Sequence, residues 1–174
     1  MNGSVFAGFC ELGDTLTFAV LAQTSAGAPA NSSTTPGYRI YGNGALMANG
    51  TGSLSFMNTG TVTGATNVNP IVITSSGHGL STGIRVTVEN VGGNTAANTT
   101  ATITSLTSDT FQLDSVAGNG AYTSGGTWKV TGLYKTEITP EAANGFAAGE
   151  FYDVFVTMTI SGDVVTQGFR IGVN

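Results

Sequence analysis

The stretch FYDVFVTMTISGDVVTQGFRIGV, residues 151–173, decides the fold. Apolar residues alternate along its first half, as in a strand with one buried face. The residues of that face are Tyr152, Val154, Val156, Met158 and Ile160, and those of the opposite face are Phe151, Asp153, Phe155 and Thr157. Ser161-Gly162-Asp163 is typical of a hairpin turn, and residues 164–173 resume the alternation with Val165, Phe169, Ile171 and Val173 on one face. The stretch therefore predicts two paired strands.

A similar alternation lies near the N-terminus, in residues 15–22, where Leu16, Phe18, Val20 and Ala22 share a face. Residues 37–42 and 53–57 are shorter candidate strands. Helical periodicity is almost absent. The chain has 26 glycines, and each costs about 1 kcal/mol in a helix interior. The sequence therefore predicts an all-β protein.

Residues 66–128 consist of short candidate strands separated by Gly, Asn and Ser turns. These strands are 71–74, 85–91, 101–105 and 110–113. Within 85–89, Val86 and Val88 are expected to point inward, and Arg85, Thr87 and Glu89 outward. The segment thus has its own hydrophobic face, and closing it as a small barrel would remove its exposed edges.

The two flanks of that segment belong together, because neither has enough strands for a stable sandwich. Joined, they supply about seven, the number in an immunoglobulin-like sandwich. We therefore predict a β-sandwich of immunoglobulin-like size, formed by residues 1–64 and 130–174 and interrupted by a small β-barrel domain at residues 65–129. Loops accept such insertions at little entropic cost.

Charge is scarce, with five basic and ten acidic residues in 174 and a net charge of −5. A protein that binds nucleic acid through its phosphates needs clustered Lys and Arg residues. The basic residues of this chain are scattered, at Arg39, Arg85, Lys129, Lys135 and Arg170. Nucleic acid is therefore not an expected partner. A hydrophobic content of 40% with 9% charged residues also argues against disorder.

We expect neither a membrane helix nor a secretory signal in the chain. Its apolar runs are far shorter than the roughly 18 residues that span a bilayer, so no membrane partner is expected. Residues 1–10 lack the basic and apolar regions of a secretory signal. A single cysteine, Cys10, cannot form an intramolecular disulfide and is expected to be a buried free thiol in a reducing cytoplasm.

His78 is the one histidine and the first residue to consider for catalysis. Ser76, with Asp109 or Asp114, would complete a Ser-His-Asp triad in the same segment. However, no G-x-S-x-G turn is present to expose a nucleophile. We therefore expect His78 to be a turn residue whose ring nitrogen bonds to nearby backbone.

The carboxylates suggest no site either. A glycosidase needs two facing acids, but Glu137 and Glu141 flank Pro140, and Asp109 and Asp114 flank a strand. The oxygen-rich spacing of a calcium loop is missing, and one histidine with one cysteine cannot fill a zinc site. Phosphate-binding glycine motifs are also absent. The sequence predicts no catalytic, cofactor-binding or metal-binding residue, and no cofactor.

Aromatic residues are the remaining candidates for binding, as a platform for carbohydrate or for a protein partner. They are Tyr38, Tyr41, Tyr122, Trp128, Tyr134 and Tyr152. Trp128 follows Ser-Gly-Gly-Thr and is expected to be a core residue at a strand end. The low charge suits a surface that packs against other subunits without the cost of desolvating ions.

The middle segment carries an ordered series of motifs. They are SSGHGL at 75–80, TG at 82–83, SDTFQL at 108–113 and SGGT at 124–127. With them, residues 67–128 resemble a small β-barrel module of tailed-phage structural proteins. That module is similar in fold to the first catalytic cysteine half-domain of ubiquitin-activating enzymes. The resemblance implies a rigid spacer or binding module with no catalytic role.

The flanks resemble an immunoglobulin-like unit of phage and prophage virion proteins. The matching stretches are GDTLTF at 13–18, YRIY at 38–41, TGLY at 131–134, AGEFYDV at 148–154 and GFRIG at 168–172. The chain departs from that unit because it carries the barrel between Thr61 and Thr131. A shared fold indicates a setting and does not identify a site.

These resemblances imply a non-enzymatic virion protein of a tailed bacteriophage, assembled in the cytoplasm of the bacterial host. The leading hypothesis is a capsid decoration protein, a cement or head accessory protein that binds the outer capsid surface. The expected partners are the major capsid protein or other virion proteins, and copies of the chain itself, as a trimer. The alternatives are a neck, tail or fibre adaptor, a receptor- or glycan-binding module, and, more distantly, a polysaccharide-cleaving enzyme.

Overall fold

The computed structural model describes residues 5–174, with side chains from residue 7 onward. Within this range helix is limited to two 3-10 turns, Thr95–Ala97 and Ala142–Asn144, so the prediction of an all-β protein is confirmed. The strands are β1 (Val5–Cys10), β2 (Leu16–Leu21), β3 (Gly37–Gly42), β4 (Ala45–Ser53), β5 (Ser55–Phe56), β6 (Thr59–Thr61), β7 (Gly64–Ala65), β8 (Ile71–Thr74), β9 (Arg85–Glu89), β10 (Thr100–Thr107), β11 (Thr110–Leu113), β12 (Thr127–Val130), β13 (Leu133–Ile138), β14 (Phe151–Ile160) and β15 (Asp163–Val173).

The chain forms two compact units. The first contains the described residues up to Ser55 together with Gly132–Asn174, and the second is Phe56–Thr131. The second unit therefore interrupts the first in the chain. The boundaries expected from the sequence lie at residues 64–65 and 129–130. The observed divisions lie at residues 55–56 and 131–132.

Two sheets make up the first unit, and their inner faces supply its core, so the fold is sandwich-like. One sheet has the order β1-β15-β14-β3-β4, and the other has the order β2-β13-β5. Strand β1 runs parallel to β15, whereas β14 runs antiparallel to both of its neighbours. Lettered B, C, C′, D, E, F and G in chain order, β2–β5 and β13–β15 give the sheets G-F-C-C′ and B-E-D. This is the strand order of immunoglobulin-type sandwiches.

The core of the first unit lies where the alternating strands predicted it. Phe18 and Ile138 from the smaller sheet belong to one buried cluster with Ile40, Val154 and Ile171 from the larger sheet. Burying each such side chain contributes about 1.5–3 kcal/mol. The whole inner face of β14 predicted from the sequence, from Tyr152 to Ile160, is buried. Cys10 is a buried thiol in the same cluster, as predicted.

The Tyr152 side chain ties the loop before β14 to the core. Its hydroxyl accepts a hydrogen bond from the Ala147 N–H at 2.8 Å and donates to the Gly145 carbonyl at 3.5 Å. Its ring packs against Phe146, with 4.6 Å between centroids. A tyrosine near the start of strand F that bonds to backbone a few residues upstream is the tyrosine corner of immunoglobulin-type folds.

Seven strands form the sheet of the second unit, in the order β6-β12-β9-β10-β11-β8-β7. Its two edge strands are separated in the chain only by Val62 and Thr63. The N–H of Val62 bonds to Gly126 and that of Thr63 to Thr74, so each residue extends its own side of the sheet. Within residues 56–131 no ladder joins β6 to β7. The sheet is not a closed barrel, and the predicted barrel is not confirmed.

One residue of β9 departs from the sequence expectation. Val86 and Val88 are buried, as predicted, but Thr87 is also buried and does not point to solvent. Its hydroxyl lies 2.9 Å from the Thr100 hydroxyl and 3.0 Å from the Thr131 hydroxyl. A threonine is readily buried when its hydroxyl is hydrogen-bonded in this way.

Candidate functional site

Both ring nitrogens of His78 are bonded to backbone. Nδ1 accepts a hydrogen bond from the Leu80 N–H at 2.9 Å, which makes Nε2 the protonated nitrogen of the neutral ring. Nε2 then donates to the carbonyls of Thr107 and Thr110, at 2.9 and 3.3 Å. The prediction of a turn histidine bonded to backbone is confirmed, and its bonds pin the 75–80 turn to the β10–β11 hairpin.

The remaining residues of the hypothetical triad also serve this turn. The Asp109 carboxylate accepts the Gly77 N–H at 2.8 Å and the Ser108 hydroxyl at 3.2 Å. These hydrogen bonds, the backbone one first, lower the pKa of Asp109, and Ser76 adds a weaker one. The structure therefore brings Ser76, His78 and Asp109 together, but the serine bonds to the carboxylate and the imidazole bonds to backbone. In a catalytic triad the serine hydroxyl instead bonds to the imidazole, and the imidazole bonds to the carboxylate.

The acid pairs considered for polysaccharide cleavage have no catalytic geometry. Asp109 and Asp114 lie at opposite ends of β11, about 17 Å apart along an extended strand, beyond the roughly 10 Å limit for such enzymes. Glu137 and Glu141 do line one depression of about 240 Å³. Both are exposed, whereas a general acid needs a desolvating wall to stay protonated.

Three of the six aromatic residues considered for a binding platform are buried, namely Trp128, Tyr134 and Tyr152. The Trp128 side chain is a core residue, as predicted, and its Nε1–H donates to the Ser75 hydroxyl at 2.7 Å. Tyr134 is buried with its hydroxyl accepting the Ser32 N–H at 2.8 Å, and burial raises its pKa. Tyr122 is half-buried and donates to the Val62 and Gly125 carbonyls. These rings do not form an exposed binding platform.

The side of the five-stranded sheet that faces away from the core carries exposed aromatic residues. We call it the outer face. Its described members include Phe9, Arg39, Tyr41, Leu46, Phe151, Asp153, Phe155, Gly168, Arg170 and Gly172. Phe9 and Phe151 are 58% and 50% exposed, with 6.0 Å between their ring centroids. A Cβ on Gly172 would clash with the Phe9 ring and lie 3.2 Å from the Phe151 ring, so both rings cover the glycine backbone.

An ion pair and a second aromatic pair continue the outer face. The Arg170 guanidinium donates to both carboxylate oxygens of Asp153 at 2.8 Å, and this bonding raises the pKa of Arg170. Tyr41 and Phe155 meet edge to face at 5.7 Å. Aromatic and arginine side chains are enriched at protein interfaces. Sequence alternation placed Phe151, Asp153 and Phe155 together but gave no signal for Phe9 or for the Arg170 partner.

A groove lined by both polar and apolar residues lies along β4. The β3–β4 ladder is interrupted where Ile40 faces residues 47–50 of β4, and a bulge of this kind redirects side chains. Asn49 Nδ2 donates to Asn144 Oδ1 at 3.0 Å across the groove. Asn43, Met47 and Tyr152 are among the other residues that line it, and its volume is about 400 Å³. This size falls within the range of small-molecule sites.

No family model matches the chain, and no curated protein is similar to it in sequence. Among residues 5–174 no group of three or more His, Cys, Asp or Glu side chains could hold a metal ion. Over the same range no helix is long and apolar enough to cross a bilayer.

Proposed function

We propose that the chain is a non-enzymatic structural protein of a tailed-phage virion, most simply a capsid decoration protein that binds the outer capsid surface. The observation that carries the proposal is that residues of the phage-type motifs make structural contacts. His78, Asp109 and Trp128, which belong to or adjoin those motifs, all make contacts that hold the second unit together. In such a module the motif residues build a scaffold, and binding is left to the surface.

The surface chemistry supports a role in assembly. The chain has 9% charged residues, and the outer face exposes Phe9 and Phe151. Few ions need to be desolvated when such a face packs against a neighbour. A neck, tail or fibre adaptor would share these properties, so the position on the particle separates the two roles.

Copy number is the decisive measurement. Virions of the phage that encodes the chain are purified, and the chain is quantified by mass spectrometry relative to the major capsid protein. A decoration protein is expected in hundreds of copies per particle, whereas an adaptor at a symmetric ring is expected in about a dozen. Absence from purified virions would refute both roles.

The amide-lined groove favours a second candidate function, binding of a glycan or receptor. Asn43, Asn49 and Asn144 offer donors and acceptors on neutral groups, which suits uncharged hydroxyl-rich ligands. Chemical-shift mapping with maltotriose and chitotriose tests it. Saturable shifts at Asn49 and Asn144, lost in Asn49→Ala but kept in the exposed control Gln167→Ala, would support glycan binding. The absence of shifts would refute it for these sugars.

A further inference from the structure

Strands β14 and β15 present complementary rows of residues on the outer face. From β14 come Phe151, Asp153 and Phe155, and opposite them on β15 lie Gly172, Arg170 and Gly168, in that order. Aromatic residues of β14 therefore lie beside glycines of β15, and the ion pair occupies the position between the two aromatic–glycine pairs. Gly172 is buried beneath the rings of Phe9 and Phe151, and Gly168 is half-buried.

This arrangement matches itself under a two-fold rotation. If the axis runs parallel to the strands, between β14 and β15 and in the plane of contact, β14 of one copy lies over β15 of the other. Positions along the strands are unchanged by such a rotation. Phe155 then faces Gly168 of the second copy. Phe151 faces the Phe9 ring that rests on Gly172, a contact between aromatic rings.

Charge also favours a second copy as the occupant. In the rotated pair, Asp153 of each copy faces Arg170 of the other. The dimer therefore contains two such contacts between opposite charges. The side chains of Arg170 and Asp153 are 52% and 27% exposed, so a partner can reach them. A uniformly acidic or basic partner would place a like charge against one member of the pair. Arg39 is the remaining charge of the described outer face, and it lies across Phe155 on β3.

The next residues along the strands extend the match. Beyond Phe155 and Gly168 the paired residues are Thr157 with Thr166, and then Thr159 with Val164. Val164 is 70% exposed, and the rotated copy would cover it with Thr159. Sheets that pack face to face in this way align at about −30° with a separation of about 10 Å.

We propose that the outer face is a self-association surface, through which two copies of the chain pack with β14 of each on β15 of the other. The contact is isologous, because the same patch serves both copies. The inference does not rest on the virion role, and it specifies a dimer where the sequence suggested a trimer.

Oligomeric state is the first test, measured by sedimentation equilibrium of the full chain from about 1 µM to about 1 mM, which covers Kd values of a moderate interface. Phe151→Ser is expected to raise the dimer dissociation constant at least tenfold. Leu106→Ser is the matched control, because Leu106 is a 48% exposed residue of the second unit. It is expected to leave the constant unchanged. Circular dichroism checks that each variant is folded.

A charge-reversal experiment tests the predicted pairing directly. Asp153→Arg gives a face with two arginines in the ion-pair row, and Arg170→Asp gives a face with two aspartates. Each variant alone is expected to be monomeric, because like charges meet across the two-fold axis. An equal mixture is expected to form a heterodimer with a dissociation constant within tenfold of the wild-type value. If Asp153 and Arg170 acted only as an ion pair within one chain, mixing the two variants would not restore dimer formation.

Three results would overturn the proposal. The first is that the wild-type chain remains monomeric at about 1 mM, a concentration at which even a millimolar Kd gives substantial dimer. The second is that the wild-type chain and Phe151→Ser dimerise equally well, which would assign the contact to another surface. The third is that the two charge variants do not associate when they are mixed. Failure of the virion proposal would appear separately, as absence of the chain from particles.

Discussion

Replacing Ser75 by alanine tests whether the aromatic core of the second unit depends on a single buried hydrogen bond. The Trp128 indole N–H donates to the Ser75 hydroxyl at 2.7 Å. Both residues are buried, with 3% and 2% of their surfaces exposed. Alanine is smaller than serine by one oxygen atom, so the change leaves the indole N–H without this acceptor and opens almost no cavity.

The expected loss follows from the cost of an unsatisfied buried donor, about 1–3 kcal/mol. A small unit unfolds in urea with a slope of about 1 kcal/mol per molar. A loss near 2 kcal/mol therefore lowers the urea midpoint by about 2 M. This is a large shift for the removal of one oxygen atom.

The chain provides its own probe for this experiment. Trp128 is the only tryptophan, so its fluorescence reports unfolding of the second unit. Ser81→Ala is the matched control, because Ser81 is an exposed serine of the same unit and a surface change is expected to stay within about 0.5 kcal/mol. If Ser75→Ala unfolds at the same midpoint as Ser81→Ala, water or another acceptor reaches the indole and the reasoning is wrong.

Four further outcomes are expected. Burial, with a smaller effect of Asp14, raises the pKa of Cys10, so its thiol should react with a disulfide reagent at least about tenfold more slowly in the folded chain than in urea. The pKa of Asp109 is lower in the folded state, so its stabilisation is present above the unfolded pKa and lost as pH falls through the folded pKa. Asp109→Asn should therefore lose less stability than the wild type between pH 5 and pH 2, as read from urea midpoints. A Cβ on Gly60 would lie 2.6 Å from the Trp128 ring, so Gly60→Ala should destabilise the second unit by about 1–3 kcal/mol in the same assay. Replacing residues 56–131 by a short Gly-Ser linker should leave a sandwich that melts cooperatively by circular dichroism, and a chain without β-structure would show that the units share one core.

Strands that bury one face and expose the other could be predicted from the sequence. In β2 and β14 the alternation identified buried residues correctly, such as Phe18 in β2 and Val154 in β14. Strand β4 was missed, because most of its residues are exposed on both sides and no alternation remains. Strand β1 was missed for another reason. It pairs with β15, more than 150 residues away, and a bulge near Gly8 breaks its pattern.

Local patterns could not reveal the contacts that assign roles to polar residues. Thr87 occupies an outward position by alternation, yet the hydroxyls of Thr100 and Thr131 make its burial favourable. His78 was correctly expected to bond to backbone, but the carbonyls that it contacts come from the β10–β11 hairpin. Such partners are set by tertiary structure, which periodicity does not report.

Register decides whether the outer face can match a second copy. Alternation assigned Phe151, Asp153 and Phe155 to one face, but their partners on β15 depend on the length of the hairpin turn. Ile160 pairs with Asp163 around a two-residue turn, and this pairing sets Asp153 opposite Arg170. The sequence suggested a turn of three residues, which would set Asp153 opposite Ile171 and separate the ion pair. A shift of one residue exchanges the two faces of a strand, so the complementarity of the outer face depends on the two residues Ser161 and Gly162. Both adopt positive φ angles, 54° and 92°, as the tightest hairpin turns require. The residues that create the self-matching face are therefore not on it.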